Sequence, residues 1–342
     1  MTDTPQPGAV TSVSAVIPVY NEQDNVGPLL DELAERLEAL ALDHEIVIVD
    51  DGSTDETWRR LQRYAEEHAS VLLRSVKLRR NFGQTAALAT GFKLAGGEVI
   101  VTLDGDLQND PTDIGALLEC LRDGADVACG WRRERKEGWI RAVPSKAAAW
   151  VISRLAGLRL HDFGCTLRAY RREIVGDLDL LGDMHRFIPA LCHAVGAKVV
   201  EIPVRHRPRL KGEAKYGRTG LQRLFRVGLD LLSLSLTTRY LTRPVRVYGW
   251  WAVGGVLAAG ATALAAAVWG AAPAAVLGLV LLLLGLSVTL VGLGGAAELA
   301  ARAYLRAAGR PAAYVRCEAR SPAWEQRWGA ADEIPSIARA QT

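Results

Sequence analysis

An uncharged run of 51 residues, from position 247 to position 297, most limits how this chain of 342 residues can fold. Pro273 divides the run into apolar halves of 26 and 24 residues, and about 20 apolar residues suffice for a helix to cross a bilayer. Arginines flank the run on both sides and none lies inside it: Arg239, Arg243, Arg246, Arg302, Arg306 and Arg310. Because positive charge favours the cytoplasmic side, we predict two transmembrane helices within residues 247–299, with both ends in the cytoplasm.

The rest of the chain has the composition of a soluble protein. All 41 Lys and Arg residues and all 38 Asp and Glu residues lie outside the uncharged run. This distribution excludes a fully soluble enzyme, a transporter built mostly of membrane spans, a disordered chain and a collagen-like fibre. The first ten residues lack the pattern of a signal peptide, and the five cysteines form no CxxC pair. We therefore expect the soluble part to lie in the cytoplasm, anchored to the inner membrane.

Apolar runs bounded by turn residues alternate with amphipathic helical patterns in the first 104 residues. They predict strands at 13–19, 45–51, 71–76 and 99–104, and helices at 26–40, 55–68 and 85–95. Continuous apolar strands that alternate with helices are typical of a parallel sheet covered on both faces. Ligands of such sheets bind at the carboxyl ends of the strands, so we expect the functional site there.

Acidic side chains are concentrated where three of these predicted strands end. Glu22 follows the first strand, Asp50 and Asp51 end the second, and Asp104 and Asp106 follow the fourth. Neighbouring carboxylates repel one another unless a cation compensates, and an Asp-x-Asp turn offers the oxygen ligands that Mg²⁺ or Mn²⁺ prefers. The pattern therefore predicts a divalent metal that bridges this edge to a diphosphate. No dinucleotide, Walker A, HExxH or serine-nucleophile motif competes with this interpretation.

Four segments resemble the GT-A glycosyltransferases of family 2: VIPVYNE at 16–22, VDDGSTDE at 49–56, RNFGQTAAL at 80–88 and TLDGDLQNDP at 102–111. Three more, together with the apolar hairpin, are similar to the polyprenyl-phosphate glycosyltransferases within that family: HDFGCTLRAYRR at 161–172, MHRFIP at 184–189 and RLKGEAKY at 209–216. The resemblance extends from about 13 to 299. It implies a GT-A α/β fold, Rossmann-like with a mostly parallel sheet and helices on both faces, followed by interfacial helices and a two-helix transmembrane hairpin.

The same resemblance implies roles for individual residues. Those expected at the nucleotide are Pro18, Tyr20, Glu22, Val49, Asp51 and Gly105. Asp104, Asp106 and Gln108 are expected to hold the metal and diphosphate, and Arg132, Arg209 and Lys215 to bind phosphate groups, including that of the acceptor. Further candidates for the sugar or acceptor pocket are Asp162, Arg168, His185 and Arg186. Ala214 departs from the family pattern, in which serine is common, so a hydroxyl contact is lost there.

The expected reaction is inverting transfer of a hexose-type sugar from a nucleotide sugar, UDP favoured over GDP, to polyprenyl phosphate. A phosphate monoester has a second pKa of about 6, so the acceptor needs no strong base. The product would donate sugar to a cell-envelope glycan or lipid. One alternative is a hydroxyl acceptor, which requires a general base such as Asp183. Another is a non-catalytic membrane scaffold or flippase partner, against which the intact Asp104, Asp106 and Gln108 set argues.

Charge and hydropathy divide the chain into five regions. We predict a flexible N-terminus at 1–12, a cytosolic catalytic domain at 13–218, amphipathic interfacial helices at 219–246, transmembrane helices at 247–299 and a cytosolic tail at 300–342. Residues 205–246 carry eleven Lys and Arg against two acids. Because this segment leads directly into the apolar run, we expect anionic lipid, and no nucleic acid, as its partner. Small residues four positions apart in the apolar halves favour helix packing, so a homo-oligomer is also expected.

Overall fold

The computed structural model of the chain describes residues 10–133, 157–176, 178, 180, 184–208 and 315–328, with scattered positions between 278 and 303. Residues Met1–Asp230 and Pro311–Thr342 belong to one compact unit, and Leu231–Arg310 to a second. Within these described ranges, no helix combines the length and apolarity that a bilayer crossing requires. The interfacial helices predicted at 219–246, and most of the predicted hairpin, lie outside the described residues.

An eight-stranded sheet forms the centre of the first unit, in the order β7-β5-β6-β4-β1-β2-β3-β8. Its strands are β1 (Ser12–Val19), β2 (Asp43–Asp50), β3 (Leu73–Leu78), β4 (Val99–Thr102), β5 (Val127–Trp131), β6 (Arg168–Arg171), β7 (Val199–Pro203) and β8 (Val315–Arg320). Strands β3, β2, β1 and β4 are parallel neighbours, as the sequence predicts. The prediction of a mostly parallel sheet is confirmed, since four of the seven strand pairs are parallel. The sheet is nevertheless mixed, because β6 and β8 run antiparallel to their neighbours.

Seven α-helices accompany the sheet in the described part of the first unit. They are α1 (Val26–Glu38), α2 (Thr57–Glu67), α3 (Gln84–Leu94), α4 (Ile114–Arg122), α5 (Arg172–Gly176), α6 (Ile188–Ala194) and α7 (Pro322–Trp328). Single 3₁₀ turns at Pro111–Asp113 and Met184–Phe187 precede α4 and α6. The first three helices coincide with the predicted ones to within two residues at each end.

Helices cover both faces of the sheet, as predicted. The apolar stripe of α1, which includes Leu29, Leu33 and Leu37, packs with α2 and α4 over Val13 and Ile17 on one face. Burial of such side chains contributes about 1.5–3 kcal/mol each. On the other face α3 covers the neighbouring residues of β1 and β2.

Helix α3 lies unusually close to the sheet because it carries a glycine at the contact. A Cβ atom on Gly91 would lie 2.3 Å from Cγ1 of Val16 and 3.5 Å from Cγ2 of Val49. No larger residue fits without displacing the helix. This close contact fixes the N-terminus of α3, at Gln84, beside the carboxyl edge of the sheet.

The segment after the apolar run returns to the sheet. Strand β8 pairs with the edge strand β3, and α7 buries the Trp324 ring. The indole Nε1 donates to Oε2 of Glu45 at 2.6 Å, while Arg74 and Arg320 lie over the ring at 4.7 and 4.6 Å. Residues predicted as part of a tail therefore complete the central sheet and close its edge.

Candidate active site

Three loops leave the sheet at one edge, at the carboxyl ends of β1, β2 and β4. Val19 pairs with Asp50, and Val16 pairs with Thr102, so the three strands end at neighbouring positions. The backbone N–H of Asp51 donates to the carbonyl of Val19 at 2.8 Å. The strand ends that the sequence predicts to form a site are therefore adjacent in space.

The loops after β1 and β2 hold each other through side-chain hydrogen bonds. The Asn21 N–H donates to Oγ of Ser53, and the Thr54 N–H donates to Oδ1 of Asn21, each at 2.8 Å. The Glu22 N–H donates to Oγ1 of Thr57 at 2.9 Å. Asn21 has φ of 52°, a left-handed conformation that asparagine tolerates better than most residues. This interlock gives the residues around Tyr20 a fixed shape.

Asp51 joins a third loop to the same edge. Its carboxylate accepts hydrogen bonds from the N–H groups of Phe82 and Gly83, at 2.7 and 2.9 Å, just before α3 begins. Burial raises the pKa of Asp51 above its usual value even though these two N–H groups favour the charged form. Gly52 is required beside it, because a Cβ atom there would lie 2.3 Å from the carbonyl carbon of Arg80.

The other residues that the sequence predicts to bind the nucleotide differ in their surroundings. Pro18 and Val49 are register partners on β1 and β2, but the Val49 side chain is fully buried in the core. The Glu22 carboxylate accepts a hydrogen bond from Nδ2 of Asn25 at 2.6 Å. Gly105 lies against β1, where a Cβ atom would come within 2.7 Å of Cγ1 of Val19. Pro18, Glu22 and Gly105 therefore lie at the edge, whereas Val49 supports it from within.

Asp104 and Asp106 lie together in the loop after β4. Burial, and to a lesser extent the charge of the Asp106 carboxylate, raise the pKa of Asp104 to about 6. Gln84, the first residue of α3, donates from Nε2 to Oδ1 of Asp104 at 2.8 Å. The Gln108 N–H donates to Oδ1 of Asp106 at 3.2 Å and closes the turn, in which Leu107 has φ of 60°.

This pair of carboxylates has the chemistry of a divalent metal site. Among the described residues there is no cluster of three or more His, Cys, Asp or Glu side chains suited to a metal. Mg²⁺ commonly takes only one or two carboxylates from the protein and completes its shell with water and substrate phosphates. Burial, and then repulsion by Asp106, raise the pKa of Asp104, and a bound cation would relieve that repulsion. The residues present therefore fit Mg²⁺ or Mn²⁺.

Arg132, at the end of β5, brings positive charge to this edge. Its Nε and Nη2 atoms donate to the two oxygens of Asp162, at 2.7 and 3.0 Å, and both side chains are nearly buried. Burial disfavours the charge, but the Asp162 carboxylate holds the pKa of Arg132 above its usual value, and the Asp104 charge acts in the same direction. Because a guanidinium has five N–H donors, the pair with Asp162 does not exhaust it. Arg132 is predicted to bind phosphate and Asp104 to bind the metal, and their charges are close enough to interact.

Arg168 and His185 contact each other beside the start of α3. Arg168 is almost fully buried and donates to the backbone carbonyls of Phe163 and His185, at 2.7 and 3.1 Å. The His185 N–H donates to Oγ1 of Thr85, and its ring Nδ1 lies 3.2 Å from the same oxygen. Of the predicted pocket residues, Arg168 therefore braces backbone, His185 contacts the start of α3, and Arg186 is exposed.

An ion pair that the sequence pattern does not reveal connects the loop after β4 to the segment after β7. Arg207 donates from its backbone N–H to the Gln108 carbonyl at 2.8 Å. Its Nη1 lies 2.8 Å from Glu32, and its Nη2 lies 3.0 Å from Asp110. Arg209, Lys215, Ala214 and Asp183 lie outside the described residues.

A family model and curated relatives agree on the type of domain. Residues 14–179 match the family described as glycosyl transferase family 2. Dodecaprenyl-phosphate galacturonate synthase of Rhizobium johnstonii is 39% identical over 92% of this chain and 94% of its own. Undecaprenyl-phosphate 4-deoxy-4-formamido-L-arabinose transferase of Edwardsiella ictaluri is 37% identical over 69% of this chain and 71% of its own.

Among solved structures, a similar fold occurs in glucosyl-3-phosphoglycerate synthase from Mycobacterium tuberculosis, crystallised with Mn²⁺, UDP and phosphoglyceric acid. The sequence identity is 20%, the TM-score is 0.49, and the match covers 67% of this chain and 78% of the other.

Proposed function

Since this chain belongs to glycosyl transferase family 2, and its relatives are named polyprenyl-phosphate sugar transferases, we propose that it transfers a sugar from a nucleotide sugar to polyprenyl phosphate. The observation that carries the proposal is the juxtaposition of the Asp104 and Asp106 carboxylates with the Arg132 guanidinium at one edge of the sheet. The two carboxylates suit a divalent metal ion, and the guanidinium next to them suits a phosphate group. Together they match a reaction in which both substrates carry phosphate.

In this proposal the loops after β1 and β2 bind the nucleoside. Their interlocked hydrogen bonds pre-form the pocket, so little conformational freedom is lost on binding. Tyr20, Glu22 and Asp51 follow or end these two strands and would line the nucleoside pocket, and we favour UDP over GDP as the donor. Asp104 and Asp106, supported by Gln108, would hold Mg²⁺ or Mn²⁺, which when bound neutralises charge on the diphosphate.

Arg132 would bind and orient a phosphate group, with Arg209 and Lys215 as further cations for the acceptor. The acceptor phosphate is largely ionised at neutral pH, because its second pKa is about 6, so no side chain has to remove a proton. One phosphate oxygen forms a bond to the anomeric carbon, and the bond from that carbon to the diphosphate oxygen breaks with inversion. The protein's contribution is then orientation of the two phosphates and compensation of their charge.

We further propose that residues 247–299 form a membrane hairpin. Its support is chain connectivity: residues before the run form β1 to β7, and residues after it form β8 of the same sheet. A segment whose two ends belong to one folded unit can cross a bilayer only an even number of times. Two crossings, with the catalytic domain and both termini in the cytoplasm of the inner membrane, agree with the arginines that flank the run.

The test is a transfer assay with purified full-length protein. We expect a sugar-linked lipid product, identified by mass, from undecaprenyl phosphate, Mg²⁺ and one member of a panel of nucleotide sugars. Unphosphorylated undecaprenol should give none, whereas product from it would favour the hydroxyl-acceptor alternative. We expect D104N to lower turnover at least about 100-fold. D24N, which alters an exposed ion pair with Arg60, is the matched control. Full turnover by D104N would refute the site.

A further inference from the structure

Glu201, on the edge strand β7, holds a turn that belongs to the site. Its carboxylate accepts hydrogen bonds from the backbone N–H groups of His161 and Asp162, each at 2.9 Å. It also lies 2.7 Å from Nδ1 of the His161 ring, and that ring stacks on Trp131 with centroids 4.3 Å apart. The Glu201 side chain is only 9% exposed. One carboxylate thus satisfies three donors of a turn about forty positions earlier in the chain.

The turn that Glu201 holds contains Asp162, whose carboxylate pairs with Arg132. Besides its bidentate pair with that guanidinium, Asp162 accepts from the Gly164 N–H at 2.9 Å. Gly164 leaves room for the pair, because a Cβ atom there would lie 3.0 Å from Nη2 of Arg132. The position of the Arg132 guanidinium is therefore set by Asp162, and that of Asp162 by the turn.

We propose that Glu201 is a positioning residue for sugar transfer, which holds Asp162 so that Arg132 stays beside Asp104. The inference rests on the proposed function, in which Arg132 binds phosphate. Glu201 itself touches none of the reacting groups, and its register partner on β5 is Cys129, two residues before Trp131. Glu201 therefore affects the rate only through the turn, which sets the position of the Arg132 charge. Misplacement of a catalytic group by about 1 Å can cost about 100-fold in rate.

Replacement of the carboxylate by an amide gives the sharpest test. In E201Q the side chain keeps its size, but an NH₂ group faces N–H donors where an oxygen had accepted them. We expect a kcat/KM about tenfold lower in the transfer assay, together with a melting temperature lowered by a few degrees, because a backbone N–H loses its acceptor. The matched control is E98Q, because the Glu98 carboxylate also accepts a backbone N–H, from Thr11 at 3.0 Å, on an exposed part of the sheet. E98Q should transfer sugar like the unchanged protein.

Chemical modification of arginine reports the geometry without any substrate. Phenylglyoxal, with mass-spectrometric mapping, should label Arg132 several times faster in E201Q than in the unchanged protein. The exposed Arg59 should react at the same rate in both. If the labelling of Arg132 does not change, Glu201 does not hold it and the inference is wrong.

A double-mutant cycle with R132K separates positioning from general stability. If Glu201 acts through Arg132, E201Q should add little to the loss already caused by R132K, because coupled residues are not additive. Fully additive losses, or faster labelling without any loss of transfer, would overturn the inference. Absence of lipid product from the unchanged protein would instead refute the proposed function, and the labelling experiment would still decide whether Glu201 holds Arg132.

Discussion

Burial has opposite consequences for two titratable side chains that meet the first turn of α3. Loss of solvent, and then the neighbouring Asp106, raise the pKa of Asp104 to about 6. Loss of solvent, and then the charges of Arg186 and Arg168, lower the pKa of His185 to about 3. His185 is therefore neutral at physiological pH and acts as a hydrogen-bonding group. It supplies no positive charge for a phosphate, so that task falls to the arginines and lysines.

The lowered pKa of His185 predicts how stability depends on pH. The unfolded chain binds a proton at this residue below about pH 6.5, and the folded chain does so only near pH 3, so stability falls as the pH drops between these values. One such group contributes up to about 1.4 kcal/mol per pH unit. We expect H185Q, in which an amide contacts Thr85, to flatten the decline in unfolding free energy between pH 6.5 and 4.5. The unchanged protein, measured in the same buffers, gives the reference slope.

Among the structural elements, β7 and the segment that follows it have a consistent role at the site. Glu201 holds the turn that carries Asp162, and Arg207 holds the loop that carries Asp106 and Gln108. The chain then continues, two residues later, to Arg209, the first of the cations proposed for the acceptor. The segment that supports the proposed metal-binding loop, after β4, is thus covalently continuous with the proposed acceptor loop.

This continuity predicts a selective effect of Arg207. In R207A the ion pairs with Glu32 and Asp110 are lost, while the backbone bond to Gln108 remains available. We expect the KM for polyprenyl phosphate to rise about tenfold, with a smaller change in the KM for the nucleotide sugar, because the proposed nucleoside-binding loops follow β1 and β2. R205A removes a more exposed guanidinium, 3.4 Å from Asp113, and should change neither constant. Equal rises in both constants for R207A would contradict this role.

The elements also differ in how far the sequence could predict them. Strands β1 to β4 and helices α1 to α3 follow from local patterns, because each buries a continuous run or a helical stripe. Strand β8 has the alternation of apolar and charged residues that is typical of a half-buried strand. Its partner β3 is some 240 positions earlier, however, so its place in the sheet could not be predicted. The carboxyl edge was predictable from the strand order of parallel sheets. The pairing of Arg132 with Asp162, and of Gln84 with Asp104, depends on tertiary contacts that no spacing rule encodes.

In the whole molecule, the apolar run is an insertion into a single folded unit. The catalytic sheet is complete only when β8 covers β3 and Trp324 donates to Glu45. In the proposed topology, folding of the catalytic domain and insertion into the membrane are therefore linked, because residues on either side of the run must meet on one side of the bilayer. This requirement is independent of the distribution of arginines, yet it leads to the same even number of crossings.

Reporter fusions and deletions can test that linkage. A fluorescent protein that folds only in the cytoplasm should be bright when fused at either terminus, and alkaline phosphatase should be active only when fused near Ala272, in the predicted loop. Deletion of residues 274–297 leaves one predicted helix and should place β8 on the wrong side, so the domain becomes sensitive to protease and loses transfer activity. Deletion of 247–297 should restore protease resistance, because β8 can then reach β3 without crossing a membrane. Active phosphatase at the C-terminus of the full chain, or a protease-resistant domain in the single-helix deletion, would contradict the hairpin.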